Sequence, residues 1–418
     1  MFKKGFVIIL IQFFGIICGL LSIYYIAGDM VPEVYSLVGI NTLISGFVCT
    51  FSHLGIETTM MRGALYWIEK GENEKVLEYA TQSILSRIIC FLVLAPFLIT
   101  YLMFLDYYKY NSQYTLLLLS FYFGACINAL VDSMTLIIRS KGGYVFAQFA
   151  RTLNGSFMKF LSISIYFWLG SKAYLYFYGF SSIPLLVLLL FKLSSIFGWK
   201  YVNIRATIKK IKEASLLWLR LYLDYFMNFS DSILVSVFFP ASIMGAYSIY
   251  KNLETVAKNF IEGFFDVLSQ NAIRFKGNYV ALSKVEKHFN YARCGAILLI
   301  ITVGVVLTVD PLKFVQLIHL SKYDAIIEII YCVLFVSLLY LFGKYEINII
   351  SSLGSSKLYF SFGVITFLIS IISFIWVLVI PSIEGVLIQR TTIYLLTSIF
   401  AIVIFRRYKK ILYNTIFN

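Results

Sequence analysis

The stretch WKYVNIRATIKKIK, residues 199–212, decides how the rest of the chain is read. It carries five basic residues, Lys200, Arg205, Lys209, Lys210 and Lys212, between two long apolar regions. N-terminal to it, apolar periodicity predicts helices over 5–28, 33–61, 78–104, 113–138, 146–169 and 174–198. C-terminal to it, the pattern predicts helices over 213–239, 242–273, 289–309, 324–350, 357–380 and 384–405, with ends good to roughly four residues. A membrane-spanning helix needs about 20 predominantly apolar residues, and each run is of that order. The breaks carry turn or charge signals, as at Asp29-Met30-Val31-Pro32, Lys141-Gly142-Gly143, Phe239-Pro240-Ala241, Asp310-Pro311 and Pro381-Ser382.

Composition agrees. The 418 residues are 60% hydrophobic and 13% charged, and mean hydropathy is +0.85. A soluble domain carries about 25% charged residues, so disordered, collagenous and ordinary cytosolic classes are excluded. No segment is long and polar enough to form a separate soluble domain. The net charge of +14 would suggest nucleic acid in a soluble protein. Here the basic residues fall in short connections: the N-terminus, 62–77, 139–145, 199–212, 274–288, 351–357 and the C-terminal tail. The opposite set of connections holds only Lys109, Lys172, Lys313 and Lys322. The positive-inside bias therefore predicts a plasma-membrane protein with both termini cytoplasmic, and no nucleic-acid partner. Lys3 and Lys4 resemble a signal-peptide n-region, yet no clean small-residue cleavage site follows, so the first helix reads as a retained span. The six cysteines form no CxxC pair and the three histidines, His53, His288 and His319, lie far apart, so no zinc or other metal site and no cofactor is expected.

The basic connection also divides the chain into two six-helix halves, giving the expected domains 1–200, 201–212 and 213–418. Sliding one half over the other by 212 residues places Tyr35-Ser36 on Tyr247-Ser248, Arg62 on Arg274, Glu74-Lys75 on Glu286-Lys287, Tyr79-Ala80 on Tyr291-Ala292, and Ser140-x-Gly142 on Ser352-x-Gly354. Each identity is weak alone; their clustering at equivalent places between helices carries the repeat. Six is even, so the halves are parallel repeats about an axis along the membrane normal, a transporter pattern with a site between the halves.

Charges within the spans are the candidate site. One ionisable group near the bilayer centre costs at least about 2.5–3.5 kcal/mol on insertion scales, so it faces a bundle interior or a wet cavity. In the seventh helix Arg220, Asp224 and Asp231 fall within about 40° of one another. That is either a cavity wall or an i,i+4 pair locking two helices; Asp231, without a local partner, favours the cavity. The eighth helix carries Lys251, Glu254 and Lys258 deep and Glu262 and Asp266 at the interface. Glu254 and Lys258 can pair at i,i+4, while Lys251 reads as the freer cation. The first half offers Arg87, Lys159 and Asp132, with Glu57 within reach of Arg62. Lys192 and Lys344 lie near enough to helix ends to snorkel. Arg390 has no clear role. There is no GxxxxGK[ST], GxSxG or HExxH, so a built-in ATPase, a serine hydrolase and a zincin are excluded. A membrane polysaccharide polymerase or ligase would need a large external loop, and the longest external connection is 310–323.

The turn Pro32-Glu33-Val34-Tyr35-Ser36 opening the second helix and its counterpart Met244-Gly245-Ala246-Tyr247-Ser248 complete a resemblance. With twelve spans in two halves and both ends inside, the chain resembles the polysaccharide flippases, the Wzx-type O-antigen and capsule translocases of the multidrug/oligosaccharidyl-lipid/polysaccharide exporter superfamily. The resemblance implies an all-α polytopic membrane protein of two MATE-like bundles in a V. It implies a transporter, not an enzyme, that flips undecaprenyl-pyrophosphate-linked oligosaccharide across the bacterial inner membrane for O-antigen, lipopolysaccharide or capsule synthesis. Arg220, Lys251, Lys159, Arg87 and Lys258 would then hold the pyrophosphate or acidic sugars. Asp224, Asp231, Asp132, Glu254 and Glu57 would couple opening to H+ or Na+. A polysaccharide polymerase and a chain-length regulator are the implied protein partners. A drug or cation antiporter of the same superfamily is the alternative, and would favour an acidic, aromatic cavity.

Overall fold

The computed structural model describes residues 2–275, 278–311, 315–316, 319–323 and 325–414. Lys276 and Lys313 lie outside the described residues, as do the side chains of Lys3, Lys4, Glu262, Asp266 and Arg274. Among the described residues all regular structure is helical. Helix α1 spans Phe2–Ser22 and continues as a π turn, Ile23–Ala27. It is followed by α2 (Pro32–Phe51), α3 (Ile56–Glu69), α4 (Asn73–Tyr110) and α5 (Thr115–Ser140). Then come α6 (Tyr144–Thr152), a second π turn (Leu153–Phe157), α7 (Met158–Phe180), α8 (Ile183–Leu190), α9 (Leu193–Ile196) and α10 (Ile204–Glu213). The remainder is α11 (Ser215–Phe238), α12 (Ala241–Arg274), α13 (Tyr279–Val309), α14 (Ile326–Leu353), α15 (Ser356–Ser373), α16 (Ile375–Val379) and α17 (Ile383–Asn414).

Local chemistry sets these limits. Pro32 occupies the first turn of α2, where its missing N–H costs nothing. Asn203, Asn278 and Ser355 cap α10, α13 and α15, each accepting a backbone N–H three residues on. The helix expected over 33–61 is two helices. Leu54 and Gly55 take positive φ (43° and 74°) and interrupt the hydrogen-bond ladder between α2 and α3. Gly170 (φ 82°, ψ −179°) divides α7 where the sequence places the 170–173 connection.

Among the described residues nine helical runs are long and apolar enough to cross a membrane. One of them, Tyr144–Leu190, contains the Gly170 break and so makes two passes. Helices α11 and α12 are not among the nine, although they are long enough. They carry Arg220, Asp224 and Asp231, and Lys251, Glu254 and Lys258, inside otherwise apolar sequence. With these added, the twelve expected passes are present. The chain is a polytopic helical membrane protein, and large side chains such as Leu92, Phe97, Trp168, Phe191 and Leu378 are exposed along its apolar exterior.

The repeat-related helices α2 and α12 meet at the centre and pack along much of their length. A Cβ on Gly245 would sit 2.1 Å from the Pro32 carbonyl oxygen, and one on Gly39 would sit 2.0 Å from Ser248 Oγ. Only hydrogen fits at these crossings, so the helices approach backbone to backbone at Gly245 and backbone to side chain at Gly39. Tyr35 and Tyr247, equivalent in the repeat, are both buried beside this seam. Around it α4, α5 and α7 pack with α2 in one half, while α14, α15 and α17 enclose α11 and α12 in the other.

Candidate functional site

The densest buried charge lies where α11, α12 and α17 meet. Asp231 on α11 and Glu254 on α12 face Lys251 and Lys258 on α12 and Arg390 on α17. Glu254 Oε1 accepts from Arg390 Nη2 (3.0 Å) and Tyr394 Oη (2.7 Å), and Lys258 Nζ lies 3.1 Å away. Its Oε2 accepts from Lys251 Nζ at 3.2 Å. Asp231 Oδ2 accepts from Lys251 Nζ at 3.2 Å and from Tyr247 Oη, and lies 3.3 Å from Arg390 Nε. Arg390 also donates to the Met227 carbonyl at 2.8 Å, and Lys251 to the Asn228 carbonyl at 2.8 Å. Such groups are tolerated in a low dielectric only when each has partners, and here the chain supplies them.

Two expectations are corrected here. Asp231 is not without a local partner: its Oδ1 accepts from the backbone N–H of Ser232 on the same helix at 2.7 Å, and its Oδ2 meets Tyr247, Lys251 and Arg390 on others, while Lys251 is held by two carboxylates rather than free. Arg390, which the sequence left without a role, is fully buried at the centre of the network. Its acid, Glu254, is 136 residues away on another helix, so no spacing rule could reveal the pair.

Arg220 and Asp224 form a separate pair. The buried Arg220 packs against α15: its guanidinium sits 5.0 Å from the Tyr359 ring and 5.4 Å from Phe362, and Nη1 contacts Asp224. Asp231 is eleven residues further along α11, roughly 16 Å by helical rise. The polar stripe of α11 is thus one face serving two networks, and the ion-pair reading describes Arg220 and Asp224 better than the open-cavity reading.

In the first half Glu57 holds Arg87 bidentately, with Arg87 Nε to Oε1 at 2.6 Å and Nη2 to Oε2 at 2.7 Å. Ser83 donates to Glu57 (2.8 Å), and His53 Nε2 lies 3.0 Å from its other oxygen. Arg87 Nη1 donates to the Cys49 carbonyl and Ser52 Oγ, both at 3.0 Å. Asp132 stands 3.7 Å from Arg87 and is the partly exposed member, at 39%. Glu57 therefore pairs with Arg87 and not with Arg62, which crosses to the other half, donating to the Ser351 carbonyl and stacking on Tyr359. Arg87, donating to Glu57, the Cys49 carbonyl and Ser52, ties α3 and α4 to the end of α2. Lys159, half-buried on α7, lies 4.8 Å from the Tyr178 ring. The five cations and five acids proposed from sequence thus fall into three networks and one cation–π pair, not one basin.

Two voids lie between the halves instead. A polar pocket of about 100 Å³ is lined by Gln12 of α1, Gln148, Arg151 and Thr152 of α6, Ser156, and Asn259 of α12. Beside it an apolar cavity of about 600 Å³ runs between α1, α12, α13 and α14, past Phe13, Leu20, Leu253, Ile261, Leu299 and Val333. Ile16 and Val256 line both. The sequence reading missed the polar pocket, because its residues come from three helices and none is an unusual charge on its own. At 100° per residue, Lys251, Glu254 and Lys258 project from α12 roughly 140–160° away from Val256, so the ion network backs the helix rather than lining these voids.

No protein-family model matches the sequence, and no curated protein matches it. Solved structures do. An inward-facing multidrug resistance MATE family transporter of the MOP superfamily superposes with a TM-score of 0.68 at 14% identity, over 98% of this chain and 99% of that one. An outward-facing one gives 0.71 at 13%, over 99% and 97%. A MATE crystal structure in complex with MaL6 gives 0.70 at 14%, over 99% and 97%. The chain has the MATE fold. The match takes in 98–99% of this chain, so it spans both halves.

Proposed function

We propose that this protein moves a lipid-linked oligosaccharide, with a pyrophosphate between an isoprenoid chain and the sugars, from the cytoplasmic to the outer leaflet of the plasma membrane by alternating access. The observation that carries the reading is the common wall of the two voids. An amphipath with a hydroxyl-rich head and a long apolar tail needs amide and guanidinium donors next to a dry groove. Gln12, Gln148, Arg151 and Asn259 supply the first, and the α1–α13 groove supplies the second, with Ile16 and Val256 at the join. Asn, Gln and Arg make directional hydrogen bonds to hydroxyl and phosphoryl oxygens.

The competing reading, a drug or cation exporter, is favoured by the names of the structural neighbours. A cation exporter needs a carboxylate free to receive its cargo. Among the described residues Asp231, Glu254, Glu57 and Asp224 are each already paired with a cation of the chain. Asp132 is the most exposed of these acids and is the proposed coupling position for H+ or Na+. Termini in the cytoplasm, and cooperation with a polysaccharide polymerase and chain-length regulator, belong to the same proposal.

The test is a strain lacking this chain with its surface-polysaccharide pathway active. Lipids are extracted for isoprenoid-linked repeat units, and susceptibility to cationic drugs is scored in parallel. Accumulated lipid-linked units, with neither polymer nor single units reaching the surface, support the proposal. Single units that still reach the surface point to a polymerase. Normal glycolipid with heightened drug sensitivity assigns the chain to drug export.

A further inference from the structure

The sequence assigns only a few lysines to the lysine-poor face, and two of them do the same thing in opposite directions. Lys109, one residue before the end of α4, reaches into the other half and donates to the carbonyl of Phe239 at 2.6 Å. Phe239 is the residue that caps the C-terminus of α11. Lys322, in the connection after α13, reaches back and donates to the carbonyl of Gly28 at 2.8 Å. Gly28 caps the π turn that ends α1. In each half the donor follows or ends the third long helix, and in each the acceptor ends the first helix of the other half.

The repeat explains the symmetry. Lys109-Tyr110 and Lys322-Tyr323 are the same dipeptide 213 residues apart, and Gly28 and Phe239 are 211 apart, each one residue from the general offset of 212. Of the two tyrosines, Tyr323 adds a bond between the halves and Tyr110 one within its own half. Tyr323 Oη donates to the Ala27 carbonyl at 3.0 Å and sets its ring 6.0 Å from Tyr35, while Tyr110 bonds Ser36 at 2.5 Å. Tyr101 of α4 adds a bond to Ser236 of α11 at 3.1 Å. A lysine on the last carbonyls of a helix meets both an orphan acceptor and the negative end of the helix dipole.

We propose that Lys109 and Lys322 form a reciprocal clasp that holds the lysine-poor face shut, and that opening this face breaks both contacts together. Each half grips the first helix of the other, so neither contact survives a hinge motion that separates the halves there. The two grips are related by the repeat but not identical: Lys109 is partly buried and also lies 3.4 Å from the Val235 carbonyl, while Lys322 is exposed. The inference rests on the alternating-access part of the proposed function and is independent of the substrate.

The test reads the full-length protein in lipid nanodiscs by single-molecule energy transfer. Dyes are carried on clickable residues at positions 113 and 381, exposed sites on this face in the two halves. Lys109→Met and Lys322→Met should each raise the open-to-closed ratio about tenfold, the scale of a hydrogen bond to a charged group, and the double variant about a hundredfold. Lys→Arg at either position should restore most of the closed population. Lys→Gln serves if a methionine variant fails to elute as a single species. If the parent shows one fixed distance under all conditions, alternating access itself fails. If the parent samples two distances and the double variant leaves their ratio unchanged, or only one lysine matters, the clasp is wrong.

Discussion

Glu254 is the most heavily coordinated acid among the described residues, and Glu254→Gln isolates what its charge does. The side chain keeps its shape and one carbonyl oxygen but loses the charge that faces Arg390, Lys251 and Lys258 at 3.0–3.2 Å. The buried Arg390 and the half-buried Lys251 and Lys258 are then left with Asp231, which of these cations contacts only Lys251 and Arg390. Breaking a buried ion pair from one side costs about 3–5 kcal/mol, because the partner's charge stays desolvated. Glu254 serves several partners, so the upper half of that range is expected. Arg390→Met alone should cost a similar amount. The double variant should cost less than the sum of the two by about 2–3 kcal/mol, since the second change removes a charge that the first left unpaired. The assay is reversible chaotrope unfolding in mild detergent, followed by tryptophan fluorescence, with all four proteins of the cycle measured together. A Glu254→Gln loss below about 0.5 kcal/mol, or strict additivity with Arg390→Met, would refute the argument that these charges stabilise one another.

Other outcomes follow from geometry already described. Gly245→Ala places a methyl 2.1 Å from the Pro32 carbonyl, so the α2–α12 crossing must spread; a loss of about 1–3 kcal/mol is expected in the same unfolding assay, and wild-type stability would show that the seam is looser than this. Arg87→Lys keeps the charge but cannot reproduce the two-pronged contact with Glu57 or the bonds to Cys49 and Ser52. It should destabilise the protein by about 2 kcal/mol or more, and equal stability would mean that charge alone matters there. Gln148→Ala with Asn259→Ala should weaken uptake of lipid-linked oligosaccharide at least tenfold in reconstituted vesicles while leaving the unfolding curve in place; unchanged transport would remove the polar pocket from the substrate path.

What the sequence made legible is what the bilayer imposes. Apolar runs of spanning length, Gly and Pro at their ends and the basic connections were enough for twelve helices and two halves, because lipid allows the backbone few alternatives. The local charge pairs were legible too: Arg220–Asp224 and Glu254–Lys258 are four residues apart, and the structure contains both. The long-range pairs were not. Glu57 was matched to Arg62 because it was nearby, but its partner Arg87 is 30 residues on, and Arg390 finds Glu254 across 136. Which helix faces are pressed together decides such pairs, and a single sequence does not carry that directly. Nor could it reveal a pocket whose polarity comes from Gln12, Gln148 and Asn259, each an ordinary residue on a separate helix.

The two halves share a backbone plan while differing in buried charge, and that contrast separates motion from chemistry. The clasp lysines, the capping carbonyls and the paired Tyr-Ser at the α2–α12 seam all follow the repeat. The ion networks do not. The second half sets Lys251, Lys258 and Arg390 against Asp231 and Glu254. The first half sets Arg87 against Glu57 and Asp132, with His53 alongside. Elements that must move as equal partners about a common axis gain from being alike, since an unequal grip would open one side first. The ion networks each join helices within one half and line neither void, so they are free to differ. On this argument variants of the clasp should alter how often the protein opens without changing what it carries. Variants of the polar pocket should do the reverse. A Lys109→Met protein whose substrate preference changed along with its opening would show that the two properties are not separable in this fold.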